Sequence, residues 1–226
     1  HIARAAPTCK VVSVAARNAM KVRPFSGEVV ALAGHTDAVL CVAAAPDVGI
    51  VTGSDDSTVK VWRGGACERT IQAHASWVNS VAVMPGGARF VSGDDDTAML
   101  WTPDGALERT FEVGSRVLCV AALPDGMHFV VGVDNIDKAQ YDIRLYNIDG
   151  TFTHSFTGVH TDHIGAVAVT TDGRYIISGS ADRTVKVWSV ATKSLVSTCR
   201  GHTDSVWAVA AMPACVNESL PDLMTK

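Results

Sequence analysis

The chain has 226 residues, of which 47% are hydrophobic, 19% charged and 6% aromatic, with a net charge of −4. That much apolar residue can bury a core and excludes wholesale disorder, and the negative balance argues against nucleic-acid binding by bulk positive charge. The longest apolar runs, such as Val39–Ala45, are about seven residues, far short of a membrane-spanning helix, and no stretch near His1 reads as a basic segment, an apolar segment and a cleavage site.

Taken from the start, Val11–Arg23 is a run of short strand-like pieces, and it aligns without a gap to Ile176–Trp188. Glu28–Leu32 reads as a further strand. Val39–Ala45 is followed by a Pro/Asp/Gly turn at 46–49, then Ile50–Ser54, an acidic turn and Thr58–Trp62. Runs rich in Val, Ile, Thr and Trp, broken by Gly, Pro and Asp every eight to twelve residues, predict an all-β chain with almost no helix.

The pattern repeats. Gly34-His35 leads to Trp62 and Ala73-His74 leads to Trp101, both with a His-to-Trp gap of 27 residues. His160 leads to Trp188 with a gap of 28, and Gly201-His202 opens another unit. Tyr146 fills the aromatic place between Trp101 and Trp188. A period of about 40 residues is the length of one supersecondary unit that needs neighbours to bury its face.

A unit that opens on Gly-His and closes on Trp resembles the WD-repeat β-propeller family. Ser178-Gly-Ser-Ala-Asp182-Arg-Thr-Val-Lys-Val-Trp188 is similar to that family's signature for the second and third strands of a blade, and Asp172-Gly173 marks the hairpin before it. The resemblance covers about residues 10–213. The family's final Asp after Trp is absent, with Arg63, Thr102, Asn147 and Ser189 in its place.

The resemblance implies four complete blades, at 34–72, 73–112, 113–157 and 158–200. The third is degenerate: Val113 replaces His, Tyr146 replaces Trp, and about six extra residues sit in Asp134–Asp142. Residues 1–33 would supply strands two to four of a partial blade, and 201–213 only a first strand, Val206–Met212. Together the ends make a composite blade and a closed ring of five, or the chain is part of a larger propeller. Arg17 and Arg23 stand where that blade needs Asp and Trp. The tail 214–226 has no strand pattern, and a chain that opens on His1 is expected to be a fragment or ordered part of something longer.

The resemblance also implies buried tetrads running Asp to His to hydroxyl to indole: His35, Thr52, Asp56 and Trp62; His74, Ser92, Asp95 and Trp101; His160, Ser178, Asp182 and Trp188. The shorter turn of the second unit leaves Asp95 or Asp96 as its carboxylate. The residue types suit the arrangement, since imidazole can donate and accept, hydroxyl does both, and indole only donates. A Ser/His/Asp set invites a hydrolase reading. It is set aside because the set repeats per blade and no oxyanion hole or nucleophile elbow is visible.

His160 and His163 lack a third ligand for a metal, with His163 expected as an exposed loop residue. The turns Asp55-Asp56 and Asp94-Asp95-Asp96 lack the spacing of a calcium loop. The basic residues of 1–23 read as a worn blade, with a basic arm for an acidic partner as the other reading. No cofactor, metal or catalytic residue is assigned. The six cysteines, at 9, 41, 67, 119, 199 and 215, form no CxxC pair and are expected to be buried or semi-buried free thiols of a cytoplasmic protein.

In the resembled family the end bearing the turn before each first strand is the usual binding face. Carried across, its positions are Ala38 and Leu40, Trp77 and Asn79, Arg116 and Leu118, Ser205 and Trp207, together with Asp55, Asp94 and Ala181. Trp and Arg dominate binding hot spots. Trp77 and Arg116 are therefore the expected anchors, for a partner segment of mixed charge, unless Trp207 fills the channel mouth and Trp77 packs on a neighbouring loop. The expected function is a non-enzymatic scaffold for a protein or peptide partner in a multi-protein complex, with no nucleic acid, membrane or small-molecule substrate. The alternative is a ubiquitin- or peptide-binding targeting module of a degradation pathway, since Arg63–Thr70 vaguely resembles segments of such proteins.

Overall fold

The structure, a computed structural model, describes residues 10–16, 19–24, 30–45, 48–135, 139–158 and 160–212. All regular structure in them is strand, as the β-branched runs and their Gly/Asp turns dictate. A first sheet joins β1 (Lys10–Ala16), β2 (Ala19–Pro24) and β3 (Val30–Ala33) in that order.

Four antiparallel sheets of four strands follow, each in sequence order. The first contains β4 (Val39–Ala45), β5 (Gly49–Ser54), β6 (Thr58–Arg63) and β7 (Ala66–Gln72). The second contains β8 (Ser80–Val83), β9 (Phe90–Gly93), β10 (Thr97–Trp101) and β11 (Leu107–Glu112). The third contains β12 (Arg116–Ala122), β13 (His128–Asn135), β14 (Gln140–Asn147) and β15 (Phe152–Phe156). The fourth contains β16 (Ile164–Val169), β17 (Tyr175–Ser180), β18 (Thr184–Ser189) and β19 (Ser194–Arg200). These are blades of the propeller type.

Each core cluster straddles two successive blades. Val51, Val61 and Phe90 pack together, as do Val91, Leu100 and Phe129, and Val130, Leu145 and Ile176. The joint between blades turns on one glycine per second strand. A Cβ on Gly53 would lie 2.5 Å from Val78 Cγ1, one on Gly93 2.5 Å from Val117 Cγ1, and one on Gly132 3.1 Å from Ile164 Cγ2. The branched residue at the head of each following blade fills the space that the missing side chain leaves. Backbone bonds fix two of these joints: Val78 N–H donates to Ser54 O (3.0 Å) and Val117 N–H to Asp94 O (2.8 Å).

Val206 repeats this joint on the last blade. Its N–H donates to Ser180 O (2.9 Å), and a Cβ on Gly179 would lie 2.7 Å from its Cγ1. Yet residues 203–212 have no strand ladder, and among the described residues β1 is bonded to β2 alone. A first strand becomes a strand only beside a second one. The composite blade expected from the two ends is therefore not joined among the described residues. On the other side, Leu32 of β3 packs on Trp62. Cys9, Cys215 and the tail 214–226 lie outside the described residues, as do the side chains of the basic N-terminal stretch. No helix among the described residues is long and apolar enough to cross a membrane.

Candidate functional site

The loops between fourth and first strands, and between second and third strands, meet at one end of the blades. Beneath them lie the networks that hold their conformation. In the first blade Trp62 Nε1–H donates to Thr52 Oγ1 (2.9 Å), and Thr52 Oγ1 lies 2.7 Å from His35 Nε2. A hydroxyl that accepts from indole donates onward to His35 Nε2, leaving the Nδ1–H to donate to Asp56 Oδ2 (2.8 Å). The fourth blade repeats the chain through Trp188, Ser178, His160 and Asp182, at 3.1, 2.8 and 2.7 Å.

Sequence reasoning missed one member. Thr58, Thr97 and Thr184 each donate a hydroxyl to the carboxylate, at 2.6, 2.9 and 2.6 Å, and their backbone N–H groups donate to the same oxygen. The recurring threonine four residues before each Trp was the signal. Burial pushes the Asp182 carboxyl up, but bonds from Thr184 and His160 outweigh it and bring it to about 2. Asp56 is likewise raised by burial and carried below the ordinary range by Thr58, Thr36 and His35. Burial lowers His35 and His160 despite their aspartates, so the imidazoles stay neutral at pH 7.

The second blade corrects the expected carboxylate. Asp94, not Asp95 or Asp96, lies 3.1 Å from His74 Nδ1, while His74 Nε2 lies 2.7 Å from Ser92 Oγ and Trp101 Nε1–H donates to it at 2.8 Å. The turn is one residue shorter, so Asp94 occupies the strand-end place of Ser54 and Ser180, as its bond to Val117 shows. Asp94 is thus buried and no part of the loop face. Asp95 stands on that face instead, accepting from Ser76 (3.1 Å) and Asn79 (3.1 Å), with Arg116 Nε 3.3 Å away. The Arg116 guanidinium, expected as a free anchor for an acidic segment, is engaged within the chain.

The remaining face positions divide by exposure. Trp77 is 57% exposed, Trp207 66% and Leu40 44%. Ala38, Asp55, Asn79, Leu118, Ala181 and Ser205 are partly buried. Trp207 lies against the backbone of Gly165, where a Cβ would come within 3.0 Å of its ring. His163 is less free than its loop suggests: its Nδ1 bonds Asp134 Oδ2 (2.8 Å) of the preceding blade, with the Tyr141 ring edge-on. The longer β13–β14 hairpin brings Asp134 there.

The thiols follow their burial. Cys41, partly buried, and Cys119, buried, are free and lie on the first strands β4 and β12, where burial pushes both thiols to about 12. At neutral pH both are held as thiols rather than thiolates. Cys67, by contrast, is exposed.

The WD domain, G-beta repeat family matches residues 27–63, 65–102 and 150–189 of this chain. A probable E3 ubiquitin ligase complex SCF subunit sconB of Emericella nidulans is 41% identical over 61 residues, 27% of this chain and 9% of that protein. Coatomer subunit beta'-1 of Arabidopsis thaliana is 37% identical over 73 residues, 31% of this chain and 8% of that protein. A ribosome biogenesis protein BOP1 homolog of Drosophila grimshawi is 44% identical over 54 residues, 24% of this chain and 7% of that protein. The matched stretch spans less than a tenth of each relative's length. Each matched repeat contains one complete Asp–His–hydroxyl–Trp network, and the first three strands of the blade that lacks it fall between the second and third matches. With those repeats covering half of its length, the chain belongs to the WD domain, G-beta repeat family.

Proposed function

We propose that the chain is a non-enzymatic interaction scaffold whose loop end presents Trp77, Trp207 and Leu40 to a protein or peptide partner within a larger complex. The observation that carries this reading is the exposure of two indoles on loops tied to a rigid frame. Exposed indole gains the monomer little, whereas a partner buries it and satisfies its N–H. The Ser/His/Asp sets do not favour a hydrolase, because each hydroxyl already accepts from a tryptophan below and bonds a histidine above.

A photo-crosslinking residue at Leu40 tests the face. It should capture a partner from native extract, whereas the same group at Thr171, at the opposite end, should not. Capture from Thr171 alone overturns the reading. Trp77→Ala should leave the melting temperature near wild type and weaken the captured partner's binding by about 1–2 kcal/mol. A narrower reading, a targeting module of a degradation pathway, is supported by the likeness to a protein named as a ubiquitin ligase subunit. Coatomer and ribosome-biogenesis proteins match over comparable lengths, so the likeness alone does not favour it. Retention of the chain on immobilised ubiquitin is the test.

A further inference from the structure

We propose that the partner segment is cationic, and that a lysine or arginine side chain seats against the Trp77 indole beside the Asp37 and Asp55 carboxylates. The proposal rests on the reading of this end as the partner face and names the chemistry that it selects.

Backbone bonds gather the corner. Asp55 N–H donates to Ala38 O (2.9 Å), Val78 N–H to Ser54 O (3.0 Å), and the Ser54 hydroxyl to Asp37 O (3.3 Å). Asp37, Asp55 and Trp77 therefore flank the same short stretch, on the first blade and the loop of the second. The Trp77 side chain is 57% exposed. An aromatic face next to carboxylates attracts a cation through its quadrupole and through charge together.

The charge of the end points the same way. Arg116 is engaged by Asp95, which Ser76 and Asn79 also hold. In the loops of this end, Arg183 is the one further lysine or arginine among the described residues, while Asp37, Asp96, Asp162 and Asp204 stand in those loops. Among the buried side-chain nitrogens and oxygens of the described residues, two lack a hydrogen-bond partner: Asp55 Oδ1 and Asp134 Oδ1. Asp55 Oδ1 belongs to the corner just described, whereas Asp134 lies in the seam with His163 of the fourth blade. A buried, unpaired carboxylate oxygen is costly and is satisfied by a donor. Burial, then the charges of Asp37 and Asp56, push the Asp55 carboxyl up. An acidic segment would instead have to displace Asp95 from Arg116 and approach like charges.

The test reads the Trp77 indole N–H resonance in a proton–nitrogen correlation spectrum, assigned by its loss in Trp77→Phe. The probes are acetyl-Gly-Lys-Lys-Gly-amide, its arginine counterpart and acetyl-Gly-Glu-Glu-Gly-amide. The lysine or arginine peptide should shift the resonance saturably, the shift should weaken with added salt, and the glutamate peptide should leave it in place. Asp37→Asn with Asp55→Asn should weaken the cationic peptide at least about tenfold. Asp37→Asn alone, at an exposed position, should weaken it in the same direction should the double variant melt early. A shift by the glutamate peptide, no shift by any peptide, or undiminished binding by the variants overturns the cationic partner. Crosslinking from Leu40 reports on the face itself, so each of those results leaves the face reading standing.

Discussion

Between β18 and β19 the register slips at Trp188, and between β14 and β15 it slips at Tyr146, so the fourth and third blades bend at the same rung. Beneath that rung they differ. Trp188 donates into a network of Ser178, His160 and Asp182. Tyr146 stacks on Phe129 at 5.6 Å and meets Phe111 and Phe152 edge-on at 5.7 and 5.5 Å. Val113 and Val131 fill the places of the histidine and the hydroxyl, both buried. The network is therefore not what makes a blade. A buried polar chain is stable when every member is paired, and so is its complete replacement by apolar groups; a half-removed chain is the costly state.

That contrast is sharpest when one member is deleted. His160→Ala leaves Asp182 and Ser178 without their partner beneath the loops and should cost about 3 kcal/mol in chemical denaturation, at the upper end for an orphaned buried group. Imitating the third blade with His160→Val, Ser178→Val and Asp182→Ala together should cost at least about 1 kcal/mol less than the sum of the three single changes. Simple additivity would show that the aromatic blade owes its stability to something other than complete replacement.

The inter-blade joint should ignore the contrast. Gly93→Ala, in a blade with a network, and Gly132→Ala, in the blade without one, both push a methyl into a filled contact: Val117 Cγ1 across the joint at 2.5 Å in the first, and Cys119 Sγ of the same blade at 2.5 Å with Ile164 Cγ2 across the joint at 3.1 Å in the second. Both should cost about 1–3 kcal/mol, the range for overpacking. Unequal losses would tie the joint to the network.

The repeat made most of this legible. His, hydroxyl and Trp recur at fixed spacing, and that spacing reports which strands are present. Tyr146 was legible in the aromatic place because Ile143–Tyr146 keeps the strand pattern. Asp94 was not. Counting back from Trp assumes a turn of constant length, whereas the network selects whichever side chain the strand end aims at the histidine. Deleting one residue moved the carboxylate from the turn to the strand end. The bond of Arg116 to Asp95 and that of His163 to Asp134 join different blades. Such contacts depend on how loops of neighbouring units meet, which no spacing within a unit records.

Acid should separate the blades more gently. The folded Asp182 carboxyl is held near 2, below its ordinary 3.8, so its contribution is complete above about pH 4 and is lost as pH falls toward 2. Asp56 and Asp94 are lowered as well and act in the same direction. Stability should fall over that window, and Asp182→Ala should show a shallower fall. An unchanged slope would show that the loss arises elsewhere.

The smallest effect belongs to the third blade. Asp142 occupies the place of Thr58 and Thr184 and is buried, accepting the Gly158 N–H at 3.2 Å. Burial pushes its carboxyl up; the Gly158 bond and the charge of Arg144 only partly offset that. The sign is thus opposite to that of Asp182. A carboxyl raised on folding weakens the fold as pH climbs from its ordinary value through the raised one, and the cost persists at pH 7. Asp142→Asn keeps an oxygen for Gly158 and removes the buried charge. Its melting temperature at pH 7 should equal or slightly exceed that of wild type, and below pH 4 the two should converge. Marked destabilisation at pH 7 would mean that ionised Asp142 has a cationic partner and that the blade has replaced the lost network with an ion pair.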